Sequence, residues 1–389
     1  MYAKTNIIPD VLFVITLSLT AVTFVSFIFP IFLFETFSPF PEENINKFEF
    51  GAWSVPLFIS NISILILWIF NKIKPNFFQS IVNSVLNFEI SKKIAFIIIV
   101  SLLLFYTIYS FNEFFESEVY QLGDFEHVLE QVQNFPDDAG TQYTRFFLLW
   151  VSYTVFENLK VIPFLASVAL LLVTYFFTTK LTGKRFAGII SLIVLLQSNI
   201  FLIFDTTASY ENFLLLFYVL SLYLIFKKPA LSFPTYLLAL TSKNIVFALI
   251  PSSLFIVARS KIPRKSKLIL FFIYLIFMIT IGVYYSTLTG SIDNFTPENF
   301  FSGFSSISNS LRYDAFVVLF FVPLIFGLWS KARKGNFQAE VVLVLLANFL
   351  IIPTIISSIG GHTNEVYRII PLVTFFAIGM GILVSNSKK

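Results

Sequence analysis

Residues 161–196 read VIPFLASVALLLVTYFFTTKLTGKRFAGIISLIVLL. Two apolar runs, 161–179 and 186–204, flank a short segment carrying Lys180, Gly183, Lys184 and Arg185. At about 1.5 Å per helical residue, each run is long enough to cross roughly 30 Å of hydrocarbon. A basic turn between two such runs is the pattern of a helical hairpin whose turn faces the cytoplasm.

Outward from this hairpin the pattern repeats. Hydrophobic residues make up 57% of the 389 and charged ones only 12%, against about 25% charged in a soluble domain. Such a chain cannot cover itself with polar surface, so a bilayer must. Further apolar runs fall at 11–34, 52–70, 94–112, 211–226, 268–286, 314–329, 338–357 and 367–385, with shorter ones at 229–241 and 245–258. The run at 11–34 is too long for a signal-peptide core and reads as a retained helix. Phe146 to Phe156 is too short to cross and reads as interfacial. The expected fold is an all-α polytopic membrane protein with about twelve crossings.

Charge orients it. With the N-terminus cytoplasmic and both short runs crossing, the inner segments collect Lys72, Lys74, Lys92 and Lys93, then Lys180, Lys184 and Arg185. They also collect the basic run 259–267 and the Lys331–Lys334 cluster. Of the 22 acids, all but Asp10, Glu89 and Glu340 fall outside. This is the positive-inside asymmetry of a plasma-membrane protein with both termini cytoplasmic. The net charge of +4 therefore reflects topology, and no nucleic-acid partner is implied. There is no cysteine and there are only two histidines, which excludes disulfides, thiolate chemistry and Cys- or His-rich metal sites.

The outer loops are unequal. The Ser-, Asn- and Phe-rich segment 287–313 reads as a mobile flap. The longest loop, 113–160, contains GDFEHVLEQVQNFPDD at 123–138. Acid runs ordinarily do no more than solvate a loop. Here, however, Val128, Leu129 and Val132 form one apolar face, Glu126 and Glu130 share another, and Asp124 opens the run as an N-cap or first-turn acid. The loop reads as built around an amphipathic helix.

GDFEHVLEQVQNF, then Leu159–Lys160–Val161–Ile162–Pro163, then Thr179–Lys180–Leu181–Thr182–Gly183–Lys184–Arg185–Phe186–Ala187–Gly188 together resemble the front of the GT-C superfamily of membrane glycosyltransferases. Protein O-mannosyltransferases and aminoarabinose transferases belong to that superfamily. The resemblance covers roughly residues 94–258 and returns at the C-terminus. It departs from the family at Thr141–Gln142–Tyr143–Thr144–Arg145, where the family often has His-Pro-Pro. It divides the chain into two additional N-terminal helices, 1–93, and a GT-C-like module, 94–389, that includes loop 113–160.

The resemblance implies a lipid-phosphate sugar donor and an inverting transfer at the outer face. Asp124 is then the expected base, with Glu126 and Glu211 as further catalytic acids. Asp205 and Glu211 flank the turn FDTTASYENF, where loop solvation and helix capping are the competing roles. The family's Arg before that second acid is missing. Arg368 in NEVYRIIPLVTFF, Lys243 in LALTSKNIVF and Arg145 are the expected donor-phosphate ligands, since cations stabilise a departing phosphate. Headgroup anchoring is the competing role for Arg368. The resemblance assigns no definite cofactor, and a divalent metal on the loop acids is left open. The expected partners are membrane lipid, a polyprenyl-phosphate sugar and an acceptor that the residues do not identify. A polytopic transporter and a non-catalytic scaffold with a GT-C-like fold are the alternatives.

Overall fold

The structure, a computed structural model, describes residues 7–28, 84–116, 124–208, 212–288, 297–311, 313–358 and 366–385, with isolated positions between 59 and 67. Most of the expected span at 52–70, together with Glu211 and Arg312, lies outside the described residues. Among the described residues every regular element is helical. The first helices are α1 (Ile8–Ile28), α2 (Lys92–Ser110), α3 (Asp124–Gln133), α4 (Tyr143–Phe156) and α5 (Val161–Thr182). Then come α6 (Arg185–Leu196), α7 (Asn199–Phe204), α8 (Asn212–Lys227), α9 (Pro229–Ser242) and α10 (Ile250–Arg259). The last are α11 (Arg264–Leu288), α12 (Pro297–Leu311), α13 (Ala315–Arg333), α14 (Phe337–Ser358) and α15 (Ile370–Leu383). Six of them (α1, α2, α5, α11, α13 and α14) are long and apolar enough to span a membrane. α9, at 14 residues, reaches only about 21 Å.

The helices group into two compact units, one of Ile90–Gln197 and Phe201–Leu288, the other of Met1–Glu89, Ser198–Ile200 and Thr289–Lys389. The first unit is organised by the hairpin of α5 and α6. Gly183 ends α5 in the left-handed region at φ 72°, and its N–H bonds Thr179 O at 2.8 Å. Only glycine adopts that conformation without a Cβ penalty. Gly188 serves a different purpose: a Cβ there would meet Tyr175 O at 2.8 Å, so its absence lets α6 lie close against α5. Arg185 Nη1 donates to Ile90 O at 3.1 Å and ties the hairpin to the start of α2. Ser91 caps α2 by accepting from Ile94 N. Along α11, Ile269, Phe272, Ile276, Ile279 and Val283 are exposed, as expected of a lipid-facing helix whose backbone is satisfied internally.

The run 186–204 is not one helix. α6 stops at Leu196 and α7 starts at Asn199. Gln197, Ser198 and Asn199 stand in series there, and Ser and Asn side chains compete with the helical backbone. The break leaves Asp205 in a turn at the end of α7 rather than on a long helix.

In the second unit, α1 packs against α12, α13 and α14. Phe13 stacks on Trp329 at 4.4 Å, and Trp329 Nε1 donates to Asp10 Oδ1 at 2.8 Å. The segment expected as a flap forms α12 over 297–311. Its polar composition hides a helical face of Phe304, Ile307 and Leu311, all buried. Gly303 allows that face to approach α14, because a Cβ would meet Thr354 N at 2.9 Å.

Candidate functional site

A polar stripe runs off the end of α2. Tyr106, Ser110 and Glu113 are spaced i, i+4 and i+7, so they share one helical face. The helix tightens into a 3-10 turn at Phe111–Phe115, which carries Glu113. The ring of Tyr106 stacks on Phe164 at 5.4 Å, and Phe114 meets Phe164 edge-on at 5.2 Å. These contacts hold the stripe against α5.

Asp205 faces this stripe from the turn after α7. Ser167 Oγ donates to Asp205 O at 2.7 Å, which anchors the turn on α5. Ser110 Oγ donates to Asp205 Oδ2 at 3.0 Å, and Thr206 Oγ1 donates to Glu113 Oε2 at 3.2 Å. The Glu113 and Asp205 carboxyls stand close enough to act on each other's charge. Asp205 is wholly buried whereas Glu113 is half-buried. Among the described residues, Asp205 Oδ1 and Tyr106 Oη have no aligned hydrogen-bond partner, although the phenol lies against Asp205. Burial pushes the Asp205 carboxyl well above the usual carboxylate range, and the nearby Glu113 charge adds to the shift. A buried carboxylate without a cation is costly, so burial favours the protonated form.

Lys160, just before α5 and also buried, points its ammonium at the 3-10 turn that carries Glu113. Its Nζ donates to Glu113 O at 2.7 Å and to Glu116 O at 2.8 Å. Its charge acts on Glu113.

The loop helix forms as expected. α3 buries Val128 and Val132, with Leu129 partly buried, against Phe146, Leu149, Ala208 and Phe213. Asp124 is its first residue, and its side chain is outside the described ones. Glu126 is exposed on the opposite face, as a solvating acid would be. Arg145 donates from Nη1 to Gln142 Oε1 at 2.8 Å and from Nη2 to Ala208 O at 3.2 Å. It thus grips the segment just before the position of Glu211. Lys243 ends α9, half-buried. Its neighbour Asn244 donates to Thr141 Oγ1 at 2.8 Å, and Thr144 and Thr241 share a 2.6 Å hydrogen bond. These bonds bring the Lys243 turn to the same stretch, 141–145, that carries Arg145. Arg368 belongs to the other unit, half-buried in a 3-10 turn before α15, with its guanidinium 5.9 Å from the Tyr367 ring centroid.

Residues 205–208 are therefore a hub. They engage Ser110 through Asp205, Glu113 through Thr206 and Arg145 through Ala208. Glu113 and Lys160 were not singled out by sequence. The i, i+4, i+7 polar stripe leaving an apolar span was the available signal for Glu113. Among the described residues no three carboxylate or imidazole groups converge as a metal site would require. No family model matches the chain, and no curated protein or solved structure matches it either.

Proposed function

We propose that the chain is an integral-membrane glycosyltransferase that moves a sugar from a polyprenyl-phosphate donor to an acceptor at the outer face of the plasma membrane, with inversion. The observation that carries this reading is the 205–208 hub, which draws an accessible acid and an arginine onto one short segment. An acceptor hydroxyl needs a base to share its proton as it attacks. The departing prenyl phosphate gains charge, which a guanidinium can bind in bidentate fashion. The docked amphipathic helix α3 and the Gly183–Gly188 hairpin are the parts of the chain that resemble the GT-C superfamily, and both are well-formed helical elements. On that resemblance Asp124, Glu211 and Lys243 remain candidate site residues, and Arg368 remains a candidate ligand of the donor phosphate. The test is to incubate the purified chain in nanodiscs with a panel of radiolabelled polyprenyl-phosphate sugars. Release of prenyl phosphate together with a glycosylated product of inverted anomeric configuration supports the reading. No turnover with any donor overturns it.

One observation favours a second reading, proton-coupled transport: a wholly buried Asp205 beside a half-buried Glu113 resembles the protonatable pairs that line membrane pathways. Solute uptake into proteoliposomes driven by a pH gradient, with no chemical change to the solute, separates it from the first.

A further inference from the structure

We infer that Glu113 and Asp205 work as a single-proton carboxyl pair, in which buried Asp205 holds the proton and half-exposed Glu113 is the ionised member that exchanges protons with a bound hydroxyl substrate. Ser110 and Thr206 tie Asp205 and Glu113 into one cluster, and two neighbouring carboxyl groups cannot both ionise at low cost. Their surroundings differ in a way that assigns the proton. Asp205 is wholly buried, receives one hydroxyl donor on Oδ2 and leaves Oδ1 without an aligned partner. Glu113 is only half-buried, with a hydroxyl donor in Thr206 and the Lys160 ammonium at its own backbone. Environments that separate two acids in this manner define their roles.

The charged and titratable groups facing the pair are Tyr106 on α2, Glu116 beyond the 3-10 turn and Lys160 before α5. Tyr106 is the third polar group at the pair. Its hydroxyl is buried, lacks an aligned partner and lies against Asp205.

The role of Glu113 toward substrate rests on the glycosyl-transfer reading. In the step, the acceptor O–H bond breaks as a Glu113 O–H bond forms. The acceptor oxygen's electron pair bonds the anomeric carbon, and the C–O bond to phosphate breaks with its pair leaving on the prenyl phosphate. The proton then passes from Glu113 to water, while Asp205 keeps its own proton throughout. Asp205 is a positioning residue, and Glu113 is the catalytic one.

Infrared difference spectroscopy on the full chain in nanodiscs tests the pair without any substrate. Near neutral pH the wild type should show a protonated-carboxyl C=O band that is lost in Asp205→Asn and retained in Glu113→Gln. Ser110→Ala should shift that band, because it removes the donor to Oδ2, and this arm stands even if Asp205→Asn does not fold. A band lost in Glu113→Gln instead, or one that ignores both Asp205→Asn and Ser110→Ala, overturns the pair. The transfer assay tests the role. Glu113→Gln should slow turnover by about 10²–10⁴-fold, with partial return in Glu113→Asp. Wild-type turnover in a folded Glu113→Gln overturns the role of Glu113. A wild type that transfers no sugar overturns the functional reading instead, and the infrared arms still decide the pair.

Discussion

Ser110 and Asp205, 95 residues apart in the chain, meet through a 3.0 Å hydrogen bond between two wholly buried side chains. One sits at the end of a long apolar helix and the other in a turn made by an interrupted one. The contact joins two residues that only the packing of α2 against the turn after α7 brings together.

Stability should fall as pH rises, through Asp205. Its carboxyl is held above the ordinary range by burial first and by the Glu113 charge second. The fold therefore keeps a proton that the unfolded chain releases near about pH 4. The resulting stabilisation is fully present below that pH and is lost as pH rises through the raised folded value. Thermal unfolding in micelles from about pH 5 to 9 should show Tm falling in the wild type. The slope should be shallower in Asp205→Asn; equal slopes would remove Asp205 as the source.

The two hairpin glycines should fail differently. Gly183→Ala forces a Cβ into a left-handed residue and should cost about 1–2 kcal/mol, with Gly183→Asn costing less because Asn tolerates that region. Gly188→Ala drives a Cβ into Tyr175 and should cost about 1–3 kcal/mol. Gly188→Ser should bring no relief. Unfolding midpoints of the four variants give the comparison.

Arg368 distinguishes phosphate binding from anchoring. As a donor ligand, Arg368→Ala weakens prenyl-phosphate-sugar affinity and slows transfer together, and Arg368→Lys restores only part, since a point charge cannot replace the planar fork. As an anchor, Lys restores function in full. Donor affinity unchanged in Arg368→Ala removes it from the site.

Topology is open to direct labelling, because the chain has no cysteine of its own. Cysteines introduced at Ser117 and Ser266 should react with an impermeant reagent from opposite sides of the membrane. Reaction from the same side contradicts the charge-based map.

Much of the helical pattern was legible in the sequence. Apolar length, Gly183 after a helix, Ser91 before one and the Val128–Val132 face are local signals, and each corresponds to a helix, cap or buried face in the structure. Two elements were misjudged for local reasons. Gln197–Ser198–Asn199 broke a run that hydropathy alone reads as continuous, and the polar composition of 297–311 concealed a helical face buried against α14.

The sequence by itself determined that this chain is an apolar, helical, membrane-type protein, because hydrophobic length and charge depletion are additive properties that need no partners. It also marked the loop 113–160 as built, through the spacing of α3. Only the tertiary structure decided which acid is buried. Asp124 and Glu126 stand in the most acidic stretch, yet Glu126 is exposed, whereas Asp205 and Glu113 stand amid phenylalanines and meet each other. Burial and proton sharing belong to neighbours in space. A carboxyl's environment is set by Ser110, Tyr106 and Lys160, residues that approach it only when α2, α5 and the turn after α7 pack together.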